Sequence, residues 1–317
     1  MGDVAEDYPK SLVEFERRFA TEEECRRYLF MLRWPRGFVC PRCGGGKVWT
    51  DAQQRYICAA CRHQARLAAG TIFQDTRQPL HLWFRAIWHV TTQKYGASAL
   101  GLQRVLGLGS YETAWTWLHK LRRAMVRPGR DRLRGRVEVD ETYVGGLAEG
   151  RRGRAIPSKA LVIIAAQEDG RRIGRIRMAR IASATAAHLH RFVQSAVEPG
   201  SCVHTDGWAG YKGLKALGYK HEVSSLEGRG KKAASELLPR VHQVASLLKR
   251  WLLGTHQGAV TPQHLDYYLD EFTFRFNRRT SASRGKLFYR LAQQAVHVSP
   301  ARYKDMVGGT SRHTPNP

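Results

Sequence analysis

The 317-residue sequence predicts an α/β fold, in which a mixed sheet with flanking helices follows a small cysteine-rich module and a helical segment. Three observations support this fold class. Two Cys-x-x-Cys pairs lie within residues 40–61, apolar residues recur at helical spacing through 79–125, and strand-like patterns begin at residue 137. The predicted organisation is, in order, an N-terminal helical segment (1–36), the cysteine-rich module (37–66), a helical segment (67–126), a basic linker (127–136), the α/β domain (137–298) and a C-terminal tail (299–317).

Helices are predicted on both sides of the cysteine-rich module. Residues 11–33 carry apolar side chains at helix-compatible spacing, and a Trp-Pro-Arg-Gly sequence ends that segment. Further on, Ser98 and Ser110 are predicted to cap two short helices that are separated by a turn at Gly107. The second helix has one apolar stripe, made of Ala114, Leu118, Leu121 and Met125.

These two short helices allow two interpretations. Their arrangement resembles a helix-turn-helix, and basic residues lie near the end of the second helix, namely Lys120, Arg122 and Arg123. A helical hairpin that packs onto a core explains the apolar stripe equally well. Both interpretations stay open at the level of sequence.

The second half of the chain predicts strands before helices. The elements are, in order, strands over 137–144, 160–166 and 174–181, a helix around 189–196, a strand over 201–205, and helices over 239–253 and 262–277. The run 160–166 is continuously apolar, which indicates a strand buried on both faces. The element order is that of a ribonuclease-H-like core, although periodicity alone leaves other α/β folds open.

The charge of the chain indicates a polyanionic partner. Lys and Arg number 52 against 27 Asp and Glu, which gives a formal net charge of +25. Such an excess favours nucleic acid, because each neutralised phosphate releases condensed counterions. No stretch approaches the roughly 20 apolar residues of a membrane-spanning helix, and the first ten residues lack the layout of a secretion signal. We therefore expect a cytoplasmic protein, associated with a bacterial nucleoid and not with a membrane.

The paired cysteines predict a structural Zn²⁺ site. The two knuckles are separated by 14 residues, which suits a hairpin that brings four thiolates around one ion; they are Cys40, Cys43, Cys58 and Cys61. A closed set of four thiolates leaves no open coordination position for catalysis. The basic and aromatic residues of this module could contact DNA, another protein or only solvent. The remaining cysteines, Cys25 and Cys202, are expected to be buried as small apolar residues.

Two aspartates occupy positions that favour a catalytic metal. Asp140 lies inside the strand over 137–144, and Asp206 directly follows the strand over 201–205. A carboxylate there is costly unless it binds a metal or a counter-charge. Two such carboxylates on neighbouring strands could share divalent ions, and Mg²⁺ prefers their hard oxygen atoms. The alternative is that each aspartate only caps a turn, since Asp-Gly at 206–207 is a common turn dipeptide.

Motifs throughout the chain resemble those of insertion-sequence transposases of the ISXO-like group, which have a zinc ribbon before a DDE-type, ribonuclease-H-like core. The matching stretches are Trp34–Cys43, Gly70–Phe73, Pro79-Leu80, Val139–Gly146, Thr205–Gly207 with Gly210-Tyr211, Leu247–Arg250, Gly254–His256, His264-Leu265, Tyr268–Phe272 and Phe274–Arg279. The resemblance implies that Asp140 and Asp206 are the first two catalytic carboxylates, where the strand pattern also places them.

The third catalytic position departs from the name of the class. Seven residues before Lys249 the sequence has His242, where many members of the resembled family carry Glu or Asn and some branches are thought to use His. Positions seven apart share a helix face, so His242 would point into the site while Lys249 reaches the DNA backbone. Imidazole is a poorer ligand for Mg²⁺ than for Mn²⁺, and it could instead position water or a phosphate. Two alternatives remain: His242 has only a structural role, or Glu236 is the third acid.

Other residues near the predicted site have two interpretations each. Glu141 neighbours Asp140 but should face the opposite side of its strand. Three aromatic residues are expected mainly to pack in the core, although they could stack on bases; they are Tyr143, Trp208 and Tyr211. Basic residues expected to follow DNA phosphates, or else only to be solvated, are Arg275, Arg278, Arg279 and the loops at 151–154 and 228–232.

The resemblance implies a DNA transposase with Zn²⁺ as structural and Mg²⁺ or Mn²⁺ as catalytic metal. Its reaction would be metal-dependent cleavage at the ends of a mobile element, followed by transfer of the freed 3′ hydroxyl to target DNA. Handling two ends in concert implies a homodimer or higher oligomer on double-stranded DNA. The main alternative is a non-catalytic zinc-ribbon DNA-binding protein, either a domesticated transposase or a regulator. A nuclease of the same fold that cuts without joining is a further alternative.

Overall fold

The computed structural model describes residues 6–127, 129–145, 159–224, 236–258 and 260–307. The chain forms two compact units. The first comprises Met1–Arg127 and Ser281–Ser311, and the second comprises Pro128–Thr280 and Arg312–Pro317. The described helices are α1 (Leu12–Arg18), α2 (Glu22–Arg33), α3 (Leu80–Thr92), α4 (Ala99–Leu106), α5 (Tyr111–Ala124), α6 (Ala186–Ala196), α7 (Pro239–His256), α8 (Leu265–Phe276), α9 (Arg284–Ala295) and α10 (Tyr303–Val307). The described strands are β1 (Val48–Thr50), β2 (Tyr56–Cys58), β3 (Gln64–Ala65), β4 (Arg136–Val144), β5 (Ala160–Asp169), β6 (Arg172–Ile181), β7 (Cys202–Thr205) and β8 (Lys220–Val223).

The helical segment predicted over 11–33 consists of two helices, and the break between them was not indicated by the sequence. A capping box starts α2: the Thr21 hydroxyl accepts a hydrogen bond from the Glu24 N–H at 3.3 Å, and the Thr21 N–H donates to the Glu24 carboxylate at 3.0 Å. Such a box satisfies donors at a helix start and therefore favours a new helix at this point. The apolar spacing continues from α1 into α2, so the sequence pattern does not indicate the break between the two helices.

Helices α4 and α5 are the two short helices that the sequence predicted on either side of a turn. Ser98 accepts from the Gly101 N–H at 3.0 Å and Ser110 from the Thr113 N–H at 3.1 Å, while Gly107 ends α4 with a φ of 65°. The apolar stripe of α5 is buried. Arg122 is also buried, at 2% exposure, so its guanidinium belongs to the interior of the unit. Packing within the unit therefore accounts for this hairpin, and its contact with DNA stays a prediction.

The first unit includes helices from both ends of the chain. Phe288 of α9 is fully buried, and its ring lies 5.3 Å from that of Phe15, 5.6 Å from that of Phe19 and 5.6 Å from that of Phe84. Residues 281–298 therefore pack with the N-terminal helices, whereas the sequence placed them in the α/β domain of 137–298. The apolar face of α9 is visible in the sequence, but its pattern does not indicate which core receives it.

The second unit is built on a five-stranded mixed sheet with the order β6-β5-β4-β7-β8. β4 pairs antiparallel with β5, and β5 with β6, whereas β4, β7 and β8 run parallel. This sheet confirms the predicted α/β class with its ribonuclease-H-like core. β8 was not predicted, because it is four residues long and its side chains are mostly exposed, so no apolar alternation marks it.

Helices cover both faces of this sheet. Side chains alternate along β4, so successive residues of this strand face different helices. Val137 and Val139 belong to the apolar cluster that contains α6. Val144 belongs to the cluster that contains α7 and α8. Because side chains alternate along a strand, Glu138 and Asp140 also face α7, where the strand carries carboxylates in place of apolar residues.

Candidate active site and metal centre

The four paired cysteines converge in a small antiparallel sheet made of β1, β2 and β3. Their sulfur atoms all lie within 4.8 Å of one another, with Sγ of Cys40 3.6 Å from that of Cys61, and Sγ of Cys43 3.6 Å from that of Cys58. Within the described ranges, no other group of three or more His, Cys, Asp or Glu side chains converges in this way. Four sulfur donors around one centre match the tetrahedral preference of Zn²⁺.

The cysteines outside this set differ from each other. Cys25 is fully buried, as predicted. Cys202, on β7, is only partly buried and lies beside Glu222. Burial and the Glu222 carboxylate raise the pKa of the Cys202 thiol to about 11.

Basic and aromatic residues of the ribbon are partly engaged within the unit. Arg55 forms an ion pair with Asp51 at 2.6 Å, and the Arg62 guanidinium lies 4.9 Å from the centre of the Trp49 ring. The Tyr56 ring packs against Phe30, at 5.1 Å between ring centres. Lys47 and Arg42 are exposed. The ribbon therefore keeps cations at its surface, while Tyr56 has a packing role.

The sheet topology brings the two predicted catalytic aspartates to the same edge. β4 and β7 are parallel neighbours, and their register pairs Glu138 with His204. Asp140 lies two residues further along inside β4, and Asp206 lies two residues further along directly after β7, so the two residues are neighbours across adjacent strands. Ligands bind at this edge in open α/β sheets.

Asp140 has the electrostatic environment of a cation-binding carboxylate. Its side chain is 20% exposed, and one of its oxygens accepts a hydrogen bond from the Glu141 N–H at 2.8 Å. Burial raises the pKa of Asp140 to about 7, the nearby charges of Glu141 and Asp206 add to this effect, and Lys249 opposes it. Carboxylates crowded in this way repel one another unless a cation joins them.

From α7, His242 approaches the Asp140 carboxylate, and the charge of Lys249 acts on the same group. Nε2 of His242 lies 3.8 Å from Oδ2 of Asp140. Burial and the nearby Lys159 lower the pKa of Lys249, and Asp140 acts in the opposite direction. Glu236 is exposed and precedes α7. Of the two candidates for the third position, His242 is the one with a measured contact to Asp140.

Glu141 faces the other side of the sheet, as expected for the residue after Asp140. Its carboxylate accepts a hydrogen bond from the Tyr211 hydroxyl at 2.7 Å. Tyr211 is fully buried, and burial together with Glu141 raises its pKa well above the ordinary value. Trp208 donates from its indole nitrogen to the Ala184 carbonyl at 2.9 Å, and its backbone N–H donates to Asp206 at 2.9 Å. These contacts support the packing interpretation for Tyr211.

A cavity of about 930 Å³ opens over the aspartates. Its lining includes both carboxylates with Glu141 and Trp208, and two basic residues, Lys159 and Arg180. Arg180 also forms an ion pair with Asp266 at 3.4 Å. An open cavity that contains both carboxylates and basic side chains is suited to bind a phosphodiester together with metal ions.

The predicted phosphate-contacting arginines are engaged inside the second unit. Arg275 pairs with the fully buried Glu271 at 2.8 Å. Arg279 donates to the carbonyl of Phe276 at 2.8 Å and to that of Ile173. The Arg278 guanidinium lies 4.1 Å from the centre of the Phe274 ring. The basic loops at 151–154 and 228–232 lie outside the described residues.

Sequence reasoning did not single out Glu138. This residue is 1% exposed and binds the first turn of α7. A signal was present, because Glu138 and Asp140 are two apart on a strand and must share a face. The partner of Glu138 lies far along the chain, however, and only the fold brings the two together.

Comparisons with known proteins identify two transposase domains in this chain. Residues 132–277 match the family model described as the ISXO2-like transposase domain, and residues 20–64 match the transposase zinc-ribbon domain. These matches show that the chain carries an ISXO2-like transposase domain behind a transposase zinc ribbon. It is 26% identical over 279 residues to an uncharacterized protein in transposable element ISH50 of Halobacterium salinarum, a match that covers 82% of this chain and 92% of that relative.

Membrane association was not expected from the sequence. Across the described ranges, no helix combines the length and apolar character that crossing a bilayer requires.

Proposed function

We propose that this protein cuts DNA at the ends of a mobile element and joins the freed 3′ hydroxyl to target DNA. In this proposal Asp140, Asp206 and His242 hold the catalytic Mg²⁺ or Mn²⁺, and Lys249 acts beside them on the DNA backbone. The observation that carries the proposal is the 3.8 Å approach of His242 to Asp140 at the sheet edge that Asp206 shares. All three residues lie within 132–277, the range that matches the transposase domain.

The donor set fits a divalent cation. Two carboxylates and an imidazole come from three elements of one unit, and Asp140 is held in a state that disfavours its negative charge. A divalent cation would relieve that repulsion. When bound, such ions activate the attacking hydroxyl and stabilise the leaving oxygen in phosphoryl displacement.

The protein's own groups would bind and orient the DNA strand. The Lys249 ammonium, close to Asp140, would neutralise a phosphate of the strand being cut. Lys159 and Arg180, which line the cavity, would direct the backbone towards the carboxylates. Trp208 holds Asp206 through its backbone N–H, so that carboxylate keeps a fixed orientation.

The remaining parts of the chain would bind DNA without taking part in the chemistry. The zinc ribbon over 37–66 and the helical segment over 67–126 are proposed as DNA-binding regions, joined by the linker over 127–136 to the catalytic domain. The net charge of +25 supports double-stranded DNA as partner. Because two element ends are joined in one reaction, we expect a homodimer or larger assembly on DNA, in the bacterial cytoplasm at the nucleoid.

The test uses purified full-length protein and duplex DNA that carries the inverted repeats flanking its gene. Cleavage and strand transfer are measured in Mg²⁺ and in Mn²⁺ for the wild type and for Asp140→Asn, Asp206→Asn, His242→Ala and Glu236→Gln, each checked for DNA binding. We expect the wild type and Glu236→Gln to cut and join, and the other three to bind DNA but to cut it at least about 10²-fold more slowly.

Other outcomes would contradict specific parts of the proposal. A wild type that binds the ends but never cuts in either metal would be a regulator. Cutting without strand-transfer products would make the protein a nuclease. An inactive Glu236→Gln beside an active His242→Ala would move the third position to Glu236.

A further inference from the structure

The first turn of α7 is held by a buried carboxylate from another element. One oxygen of Glu138 accepts hydrogen bonds from the Arg240 N–H at 2.7 Å and from the Val241 N–H at 2.9 Å. Its other oxygen accepts from the Arg240 guanidinium at 2.9 Å. Glu138 is 1% exposed, so these bonds are shielded from water.

The helix itself provides no cap for these donors. Leu238 occupies the N-cap position and has no side-chain oxygen, and Pro239, the first helical residue, has no N–H. The next two N–H groups of the first turn, on Arg240 and Val241, have no carbonyl four residues back within the helix. Glu138 supplies the missing acceptor, and its negative charge also suits the positive end of the helix dipole.

This bond to the helix start lies next to the catalytic contact. His242 directly follows Val241, and its own N–H is the first to bond inside α7, to the Leu238 carbonyl at 3.3 Å. On β4, Asp140 follows Glu138 by two residues and faces the same helix. One strand thus contacts one helix turn at two adjacent points: Glu138 binds its backbone, and Asp140 meets its imidazole.

Arg240 strengthens the first of these contacts. Besides Glu138, its guanidinium donates to the Gly170 carbonyl at 2.7 Å and pairs with Glu168 at 3.2 Å. Gly170 and Glu168 belong to the β5–β6 hairpin. The helix start is therefore attached to β4, to β5 and to the turn between β5 and β6.

We infer that Glu138 is a positioning residue for the reaction: its carboxylate fixes the first turn of α7 so that the His242 imidazole faces Asp140. The inference rests on the proposed function, in which His242 belongs to the metal site. Glu138 touches neither metal nor DNA and acts only through the helix. Both Glu138 oxygens accept hydrogen bonds, so replacing either with an NH2 group places a donor against donors. The first turn then frays and His242 no longer stays at the carboxylate.

The decisive variant is Glu138→Gln, which keeps the shape of the side chain and removes its charge. Its matched control is Glu168→Gln, which removes the other acidic partner of Arg240 and leaves the Glu138 bonds to the helix backbone in place. A second variant, Glu138→Asp, keeps the charge but withdraws the carboxylate by one carbon–carbon bond, and it serves if the glutamine variant does not fold. Folding is checked by circular dichroism and thermal unfolding of the full-length protein.

Two measurements separate positioning from general stability. The first is cleavage, alone and in a double-mutant cycle with His242→Ala. Misplacing a catalytic group by about 1 Å can cost roughly 10²-fold in rate, so we expect a loss of that order in Glu138→Gln and a near-normal rate in Glu168→Gln. In the His242→Ala background, Glu138→Gln should have little further effect, because both changes remove the same contribution.

The second measurement is electron spin-echo spectroscopy of bound Mn²⁺, which reports a directly coordinated nitrogen without requiring activity. We expect a nitrogen coupling in the wild type and in Glu168→Gln, and its loss in His242→Ala, in Glu138→Gln and in Glu138→Asp. A folded Glu138 variant that keeps both the coupling and the cleavage rate would overturn the inference and leave the proposed function intact. Full additivity with His242→Ala would overturn it too.

Failure of the proposed function gives a different pattern. If the wild type never cuts DNA but shows a nitrogen coupling that Glu138→Gln abolishes, the role of Glu138 stands and the enzymatic activity does not.

Discussion

The Tyr211 hydroxyl donates a hydrogen bond to Glu141 at 2.7 Å, one residue from the carboxylate proposed to bind metal. Tyr211 is fully buried, whereas Glu141 is partly exposed and lines the cavity. The bond therefore connects the apolar cluster that contains α6 to the sheet edge where Asp140 lies. Its position suggests that it keeps the Glu141 carboxylate away from the metal-binding face.

We predict that Tyr211→Phe destabilises the protein and slows cleavage. A hydrogen bond to a charged group contributes about 1.5–3 kcal/mol, so the free energy of unfolding should fall by roughly that amount. Denaturant unfolding measures it. Tyr219→Phe is the matched control, because its hydroxyl donates at 3.1 Å to a backbone carbonyl, that of Val197. An equal loss in both variants would argue against a special role for the bond to Glu141.

A second prediction concerns the cost of the charge on Asp140. Its pKa is raised from an ordinary 3.8 to about 7, so between these values the folded protein binds more protons than the unfolded one. Stability therefore falls as the pH rises through this window. Asp140→Asn has no such charge, and at pH 8 without added divalent metal its Tm should exceed that of the wild type by on the order of 2–5 °C.

This gain should shrink towards pH 4.5, where Asp140 is increasingly protonated in both states. The same variant should lose cleavage by at least about 10²-fold, the usual scale for removing one electrostatic contribution to a reaction. A lower Tm for Asp140→Asn at pH 8 would show that the carboxylate stabilises the metal-free fold.

A third prediction separates a lysine that binds DNA from an arginine that supports the fold. Lys249→Ala should reduce the slope of log affinity against log salt by about 1, since one phosphate contact is lost. Arg275→Ala should leave that slope unchanged and reduce the free energy of unfolding by about 1–3 kcal/mol, because it removes the charged hydrogen bond that Arg275 donates to the buried Glu271. Fluorescence anisotropy at several salt concentrations, with denaturant unfolding, distinguishes the two. The opposite pattern would make Arg275 a phosphate contact, as its sequence position first indicated.

A fourth prediction concerns the zinc ribbon. Cys43→Ser should abolish stoichiometric zinc, measured by release to a colorimetric chelator, and should weaken DNA binding with it. Cys25→Ala is the control: this thiol is buried outside the cluster, so zinc content should stay at one ion per chain. If Cys43→Ser retains a full equivalent of zinc, the four-cysteine site is not the one that binds the ion.

The sequence predicted elements whose pattern is local. The apolar run of β5 and the alternation of β4 and β6 gave the antiparallel part of the sheet, and the cysteine spacing gave the ribbon. β8 was missed because a short, largely exposed edge strand has no such pattern. The break between α1 and α2 was missed because one helical periodicity runs through both.

The candidate site could be predicted only in part for the same reason. Asp140 and Asp206 stand out because a carboxylate at a buried strand is costly wherever it lies. The capping role of Glu138 depends on α7, and the pairing of Arg275 depends on the burial of Glu271. Long-range contacts of this kind decide whether a charged side chain binds DNA or holds the fold, and single-sequence patterns do not contain them.

The packing of α9 against the N-terminal helices has a consequence for protein synthesis. A ribosome makes residues 6–127 early, yet their aromatic core lacks Phe288 until the second unit has been translated. A message or a nascent chain interrupted before residue 281 would yield a first unit with an open apolar face. Premature termination would therefore produce a fragment whose exposed apolar face favours aggregation.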